Sequence, residues 1–321
     1  MTLARPPYDP ELQAFLDAMA ADPRPRFTLD TLAAVRAASA AATPTIDAVL
    51  AGTGLEHAEL AVPGPDGAPE ITLSVVRRPG ATAPTACVYH IHGGGMIGGD
   101  RHTGAQLFPM LVERYGATVV SVEYRLAPEH PHPAPVEDCY AGLRWVAGHA
   151  AELGVDPGRI LIAGGSAGGG LAAGVALMAR DRGGPALVGQ LLLCPMLDDR
   201  DATVSARQYD TPEAIWNRAD NVFGWAALLG DARGGPDVSP YAAPARATDL
   251  SGLPPAFIDS GSAEVFRDEA VDYASRIWAA GGQAELHVYA GGFHGFGMAA
   301  HTGVARAEQA AMESWLGRML G

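Results

Sequence analysis

The sequence predicts an α/β protein in which a mostly parallel central sheet is flanked by helices and carries a helical cap. Short apolar runs rich in β-branched residues, each bounded by Gly or Pro, alternate along the chain with helical stretches. The run LLLC at 191–194 is apolar without interruption, which is typical of a parallel strand buried on both faces. Two helical segments interrupt the alternation, and we expect them to form the cap.

The elements follow from hydrophobic periodicity. Alternating or continuous apolar runs predict strands at 71–79, 85–92, 117–124, 159–165, 188–195, 255–261 and 284–289. Apolar residues at helical spacing predict the intervening helices at 103–115, 134–151, 167–181, 265–280 and 302–319. Strands that alternate with helices in this way predict parallel pairing, because each helix carries the chain back to the starting edge of the sheet.

The domain organisation follows from the same pattern. Residues 1–50 read as an N-terminal helical cap segment, and residues 51–199 as the first part of the α/β core. Residues 200–235 read as a cap insertion after a core strand, and residues 236–321 as the remainder of the core. We expect both cap segments to cover the carboxyl edge of the sheet, where open α/β sheets bind their ligands.

Composition excludes some classes of function. The chain has 321 residues, of which 48% are hydrophobic and 18% charged, so it can bury a large core. The formal net charge is -14, with no cluster of Lys and Arg. Since contacts to phosphates need such clusters, we expect no nucleic-acid partner.

The cysteines and the N-terminus indicate a compartment. Cys87, Cys139 and Cys194 are far apart and show no CxxC spacing, which favours small buried thiols over a disulfide framework. The first twenty residues lack the apolar core of a signal peptide, and no apolar run is long enough to span a membrane. We therefore expect a cytoplasmic protein without a membrane partner.

The strongest chemical signal is the segment RILIAGGSAGGGLAAG at 159–174. It places Gly164-x-Ser166-x-Gly168 between a strand and a helix, which is the context of a nucleophile elbow. Small residues are needed there because the turn is tight and strained. A phosphate-binding glycine loop is the alternative, but the segment lacks the Lys of a P-loop. Ser166 is therefore predicted to be a nucleophile.

A second glycine motif, HGGG at 92–95, follows the strand predicted at 85–92. Attack on an acyl group creates an oxyanion, which requires backbone N–H donors held in place beforehand. We expect the amides of Gly93, Gly94 and Ala167 to supply them. A merely flexible glycine loop is the alternative, and the nucleophile motif that follows HGGG in the chain argues against it.

The base is predicted to be His294, which lies in the glycine-rich loop YAGGFHGFG after the last predicted strand. The order nucleophile, acid, histidine along the chain is that of α/β enzymes with a serine nucleophile. The residues leave the acid open among candidates that follow the strand at 255–261, namely Asp259, Glu264, Asp268 and Glu269. Glu264 lies in the loop between that strand and the next helix.

The chain contains two H-x-H pairs that could bind a metal, His90 with His92 and His130 with His132. Neither pair has a matching set of carboxylates or cysteines nearby in the sequence. We therefore expect no catalytic metal and no cofactor.

Together these motifs resemble the bacterial hormone-sensitive-lipase family of esterases, also called family IV. The similarity lies in HGGG at 92–95, EYRLAPEHPHPAPVED at 123–138, GGSAGG at 164–169 and GGFHGF at 291–296. The resemblance implies an α/β-hydrolase fold and a serine carboxylesterase that cleaves short-chain acyl esters through an acyl-enzyme. A homodimer is suggested by family analogy alone.

The resemblance also assigns the acid. The family motif D-P-L-R-D, laid on EVFRD at 264–268, puts the catalytic carboxylate on Glu264. The chain departs from the family at Gly165, where Asp usually stands, and at Met96, where an aromatic residue is frequent. Met96 therefore predicts an altered acyl pocket, as the residue directly after HGGG.

Alternatives to an esterase remain open at this level. An amidase or a lactone hydrolase would use the same three residues, and a non-catalytic small-molecule receptor would have lost them. Trp216, Phe223 and Trp225 are further candidates for the substrate pocket, although aromatic residues at helical spacing more often belong to a core.

Overall fold

An eight-stranded sheet with strand order β1-β2-β4-β3-β5-β6-β7-β8 runs through the protein. The computed structural model describes residues 3–19, 26–211 and 213–321. The strands are β1 (Glu56–Val62), β2 (Ile71–Arg77), β3 (Thr85–Ile91), β4 (Thr118–Glu123), β5 (Val155–Gly165), β6 (Gly189–Leu193), β7 (Ala256–Gly261) and β8 (Ala284–Tyr289). The β1–β2 and β2–β4 pairs are antiparallel. The other neighbouring pairs, β4–β3, β3–β5, β5–β6, β6–β7 and β7–β8, are parallel.

The helices of the N-terminal half are α1 (Pro10–Met19), α2 (Leu32–Ala42), α3 (Ile46–Leu50), α4 (Phe108–Tyr115), α5 (Ala134–Gly148) and α6 (Ala150–Leu153). Those of the C-terminal half are α7 (Ala167–Asp181), α8 (Val204–Gln208), α9 (Arg218–Leu229), α10 (Arg267–Ala279) and α11 (Gly303–Leu320). Local sequence sets several of their ends. Asn217 and Asp220 form a capping box at the start of α9, and the Thr302 hydroxyl caps α11.

Two apolar cores lie on opposite faces of the sheet. Alternate residues of β3 point to opposite sides, so Tyr89 packs with the α5, α7 and α10 side, whereas Val88 packs with α4 and α11. Both side chains are fully buried. The sheet is thus covered on both faces, as the continuous apolar runs predict.

The sequence-based prediction of the fold class is confirmed, and each predicted strand is present, with β8 at its predicted bounds and the others with shifted ends. The first strand, β1, was not predicted. It lies at the sheet edge with a mixed pattern of exposed and buried residues, so its apolar signal is weak. The helix predicted to begin at 103 begins at Phe108, after a 3₁₀ turn (Ala105–Leu107).

The two segments expected to form a cap contain α1 to α3 and α8 to α9. Residues 1–2, 20–25 and 212 of these segments lie outside the described residues. Leu12 and Leu16 of α1 share a small apolar cluster with Phe293 and Phe296. This cluster puts α1 against the loop that carries His294, and the division into cap and core stays a prediction.

The cysteines are unbridged. Cys87 and Cys139 are buried in the core, whereas Cys194 is partly exposed. Within the described part of the chain, no helix combines the length and the apolar character needed to cross a membrane.

Candidate active site

Ser166 lies at the turn between β5 and α7, at the carboxyl end of the parallel strands. Its φ of 56° and ψ of -122° are strained for a residue with a side chain. The turn leaves no space beside the serine. A Cβ atom at Gly164 would lie 2.3 Å from the Gly168 carbonyl oxygen, and one at Gly168 would lie 2.1 Å from the Ile91 carbonyl oxygen. The two glycines of the motif therefore permit this turn.

His294 lies in the loop after β8, and its Nε2 is 2.9 Å from the Ser166 Oγ. Its Nδ1 is 2.5 Å from the Glu264 Oε2. A carboxylate only accepts, so Nδ1 carries the proton and Nε2 is left to accept from the serine hydroxyl. Phe266 holds the ring edge-on, with ring centroids 5.0 Å apart. The structure thus brings Ser166, His294 and Glu264 into one hydrogen-bonded chain.

Glu264 is held in turn by its other oxygen. Its Oε1 accepts hydrogen bonds from the Ser260 hydroxyl, at 2.7 Å, and from the Gly261 amide, at 2.9 Å. The residue is only 1% exposed. Three donors including the imidazole therefore fix a buried carboxylate, which satisfies its need for hydrogen bonds away from water.

The other acidic candidates have different partners. Asp268 accepts from the Ser205 amide and pairs with Arg267. Burial would raise the pKa of Asp268, but the hydrogen bonds from Arg267 and Ser205 outweigh it and lower the pKa. Glu269 accepts from the Leu197 amide at 2.7 Å, and burial raises its pKa well above the usual range. Neither carboxylate is bonded to the imidazole in the described structure.

Asp259 lies near the end of β7 and accepts the Cys194 amide at 2.8 Å. Its other oxygen is buried and has no hydrogen-bond partner among the described residues. Burial, followed by the charge of Glu308, raises the pKa of Asp259 well above its usual range. Burial likewise raises the pKa of Glu308 to about 7. Burial therefore makes both carboxyl groups hold a proton more readily than an exposed carboxyl group does.

Cys194 lies beside the catalytic candidates, and sequence reasoning did not place it there. Its Sγ, a Glu264 oxygen and a His294 ring nitrogen all lie within 4.8 Å of one another. Both nitrogens of His294 are already bonded, to Glu264 and to Ser166, so this set is better understood as the base with its neighbours than as a metal site. Burial raises the pKa of the thiol well above its usual range, which keeps it protonated.

The HGGG loop passes directly over the serine. A Cβ atom at Gly93 would lie 2.9 Å from the Gly165 carbonyl oxygen and 3.5 Å from the Ser166 Cβ. Gly94 has a φ of 118°, which favours glycine. Among the hydrogen bonds of the described residues, none uses the amides of Gly93, Gly94 or Ala167 as donors. These N–H groups are thus free to bind an oxyanion.

His92 supports this loop from within the core. Its ring stacks on Tyr124 at 4.1 Å, and the Tyr124 hydroxyl donates to the His92 carbonyl at 3.0 Å. Its Nδ1 is 2.8 Å from the Gly93 carbonyl oxygen. Burial lowers the pKa of His92, so the ring is a neutral structural group.

The H-x-H pairs do not form metal-ligating clusters within the described residues. His90 bonds to Ser121 at 2.9 Å, and burial lowers its pKa to about 3. His130 is exposed, and His132 lines an apolar cavity of about 840 Å³.

Arg36 of α2 is a supporting residue that sequence reasoning missed. Its guanidinium donates to the Ile97 carbonyl at 2.6 Å and to the Ala127 carbonyl at 2.7 Å, and it forms a bidentate pair with Glu129. The available signal was its position as the one charged residue of an otherwise small and apolar helix. Arg36 therefore ties α2 to the chain that leaves the HGGG loop.

The predicted pocket residues occupy different environments. Met96 and Trp225 are fully buried in the core, and Trp216 is 6% exposed. The Trp216 ring fills the space beside Gly95, where a Cβ atom would lie 2.3 Å from it. Phe223 lines the cavity of about 840 Å³, which Ser166 does not line. Contact of these residues with substrate stays a prediction.

Comparison with known proteins extends these findings. A family model described as the alpha/beta hydrolase fold matches residues 88–298. The carboxylesterase NlhH of Mycobacterium tuberculosis is 37% identical over 89% of this chain and 87% of its own. A bacterial heroin esterase is 41% identical, with a TM-score of 0.87 over 98% of each chain. The hyperthermophilic esterase of the archaeon Pyrobaculum calidifontis is 35% identical, with a TM-score of 0.81 over 91% of each chain.

Proposed function

Since the chain belongs to the hormone-sensitive-lipase-like family of α/β-hydrolases, we propose that Ser166, His294 and Glu264 carry its reaction, and that its substrates are esters with short acyl chains. The protein is a serine carboxylesterase. The observation that supports the residue assignment is the hydrogen-bonded chain from the Ser166 Oγ through His294 to Glu264.

In the first half of the reaction, the Ser166 oxygen attacks the ester carbonyl while the His294 Nε2 takes its proton. Glu264 keeps the proton of the neutral imidazole on Nδ1 and stabilises the imidazolium that forms. His294 then gives a proton to the leaving alcohol, which departs and leaves the acyl group on the serine. In the second half, water attacks the acyl-enzyme, with His294 again as base.

The developing oxyanion is assigned to the amides of Gly93, Gly94 and Ala167. Support comes from their unpaired N–H groups in the described structure and from the close approach of Gly93 to the serine, since a Cβ atom added at Gly93 would lie 3.5 Å from the Ser166 Cβ. Ala167 is the first residue of α7, so its amide also lies at the positive end of a helix dipole. Each donor of this kind typically contributes about 3 kcal/mol to transition-state stabilisation.

The preference for short acyl chains is supported by bulky buried residues close to the loop. Met96 follows the glycines directly, and Trp216 presses against Gly95. We assign to both side chains the role of limiting the space for the acyl chain beside the HGGG loop. We assign the covering role to the cap segments 1–50 and 200–235, because Trp216 lies in one and the other packs beside the loop of His294.

The substrate class is tested with p-nitrophenyl esters of two to sixteen acyl carbons, beside matched anilides and lactones of the same acyl groups. We expect kcat/KM to be highest at about two to eight carbons and to fall for longer chains, because cap segments over the site would leave room for a short acyl chain only. Anilide or lactone turnover above that of the matched esters would assign a different substrate class. Efficient hydrolysis of long-chain triglyceride emulsions would contradict the preference for short chains.

A further inference from the structure

Four polar atoms converge at the antiparallel edge of the sheet. His57 and Glu59 are two residues apart on β1, so their side chains point to the same face of the sheet. Ser74 of β2 pairs with Glu59 in the strand register, and His102 follows the HGGG loop. The His57 Nε2 is 3.0 Å from the Glu59 Oε1 and 2.9 Å from the Ser74 Oγ. The His102 Nε2 is 3.2 Å from the same Glu59 oxygen and 3.3 Å from the same Ser74 oxygen. The four atoms therefore form a closed ring.

Two-centre hydrogen bonds can fill only two of the four contacts in this ring. The Glu59 carboxylate only accepts, and each Nε2 either carries one proton or has one lone pair. If both Nε2 atoms are protonated they bond to Glu59, and the Ser74 hydroxyl has no ring nitrogen to donate to. If one Nε2 is bare it accepts from Ser74, and its lone pair then faces the carboxylate. With one contact for each proton, two of the four contacts lack a hydrogen in every arrangement.

A metal ion at the centre would satisfy all four contacts. Zinc binds His nitrogen and carboxylate oxygen at about 2.0–2.2 Å, so adjacent ligand atoms of a tetrahedral site are roughly 3.3–3.5 Å apart. Four of the six ligand-to-ligand separations are 2.9 to 3.3 Å and would need to widen only slightly, and the ligand nitrogens of His57 and His102 lie within 4.8 Å of each other. Two imidazoles with a carboxylate are a donor set that zinc accepts well.

The surroundings fix the ligands and leave them accessible. The Arg101 Nε donates to the other oxygen of Glu59 at 2.7 Å, and its NH1 donates to Glu123 at 3.0 Å. With neutral imidazoles, Glu59, Glu123 and Arg101 together carry one negative charge, which favours a cation. The side chains of His57, His102 and Glu59 are 19%, 17% and 34% exposed, so an ion can enter from solvent.

We propose that His57, Glu59 and His102, with the Ser74 hydroxyl in the fourth position, bind a zinc ion. The ion would join β1 and β2 to the segment that follows the HGGG loop. Gly99 lies between His102 and that loop, and a Cβ atom there would be 2.5 Å from the Gly93 carbonyl oxygen. The site is structural, since the ester hydrolysis derived above uses no metal.

Binding is tested with tag-free full-length protein after dialysis against a chelator. Titration with Zn²⁺ in a calorimeter is expected to show one equivalent, and a hundredfold excess over Kd should raise the melting temperature by on the order of 5 °C. Co²⁺ in place of zinc should give the strong visible absorption of a four-coordinate ion. Mg²⁺ should give no response, because it prefers six oxygen ligands.

Variants locate the ion. Glu59→Gln and His102→Gln each remove one ligand with little change of volume, and each should weaken Zn²⁺ binding at least about tenfold. The matched control is His301→Gln, an exposed histidine outside the ring, which should bind Zn²⁺ like the wild type. Wild-type affinity in both ligand variants would overturn the proposal. So would the absence of the four-coordinate Co²⁺ spectrum in the wild type, which needs no variant to fold.

Discussion

The Nδ1 atom of His294 lies 2.5 Å from the Glu264 Oε2, in a loop-to-loop contact between residues that follow neighbouring parallel strands. The opposite oxygen of Glu264 is held by Ser260 and Gly261. This double anchoring fixes both the tautomer and the orientation of the imidazole, and it makes the identity of the acid directly testable.

Replacing Glu264 by Gln should lower kcat by on the order of 10³–10⁴, because the amide can favour the wrong tautomer and cannot stabilise the imidazolium. Glu264→Asp should lower it by about 10², since the shorter arm misplaces the hydrogen bond by about 1 Å. The matched control is Asp268→Asn. This substitution should change kcat little, because the Asp268 carboxylate pairs with Arg267 and not with the imidazole. Steady-state kinetics with p-nitrophenyl acetate measures all three. A larger loss in Asp268→Asn than in Glu264→Gln would show that the acid is misassigned.

Gly93→Ala should reduce kcat by on the order of 10², with KM changed less. The added Cβ atom would lie 2.9 Å from the Gly165 carbonyl oxygen, so the loop must move away from the serine. Its backbone N–H groups would then no longer point at the oxyanion. Gly148→Ala is the matched control, because a Cβ atom there meets nothing within 4 Å. Equal kinetics of the two variants would remove the HGGG loop from the oxyanion site.

Removing the Arg36 side chain should destabilise the segment that follows the HGGG loop. Arg36→Ala leaves the carbonyls of Ile97 and Ala127 without their charged donor, so we expect a loss of about 2 kcal/mol in the free energy of unfolding and a fall in kcat/KM of roughly tenfold. Arg114→Ala, which breaks an exposed pair with Glu313, should change both by little. Urea unfolding and steady-state kinetics compare the variants, and identical behaviour would refute the bracing role.

The partly buried carboxyl group of Glu308 predicts a pH dependence of stability. The pKa of Glu308 is raised to about 7 in the folded protein, so the native state holds a proton there that the unfolded chain releases near pH 4.5. The free energy of unfolding should therefore fall as pH rises from about 4.5 to about 7 by this contribution. In the Glu308→Gln variant, this part of the pH dependence of the free energy of unfolding should be absent. Urea unfolding across this range tests it, and parallel curves for both proteins would contradict it.

The sequence was sufficient for the elements whose signals are local. Continuous apolar runs identified the buried parallel strands, and the position of Gly164, Ser166 and Gly168 between a strand and a helix identified the turn. Chain order together with the glycine-rich loop after the last predicted strand singled out His294. β1 was missed because an edge strand is half exposed and carries no clear apolar pattern.

The remaining features depend on contacts between distant segments. The residues left the acid open, because Glu264 is distinguished from its acidic neighbours by the loop geometry around His294 and not by composition. The four-atom ring at the sheet edge was invisible because its donors come from β1, β2 and a separate loop. Arg36 likewise acts on residues more than sixty positions away, and nothing in its helix specifies which carbonyls it meets.

The central claim is that Ser166 is the nucleophile, and labelling by a fluorophosphonate probe followed by intact mass and peptide mapping tests it most directly. We expect one equivalent of label on the Ser166 peptide of the wild type. Ser166→Ala should fold normally, take up no label and lose at least about three decades of turnover. Label on a different residue, or near-wild-type turnover by Ser166→Ala, would contradict the account.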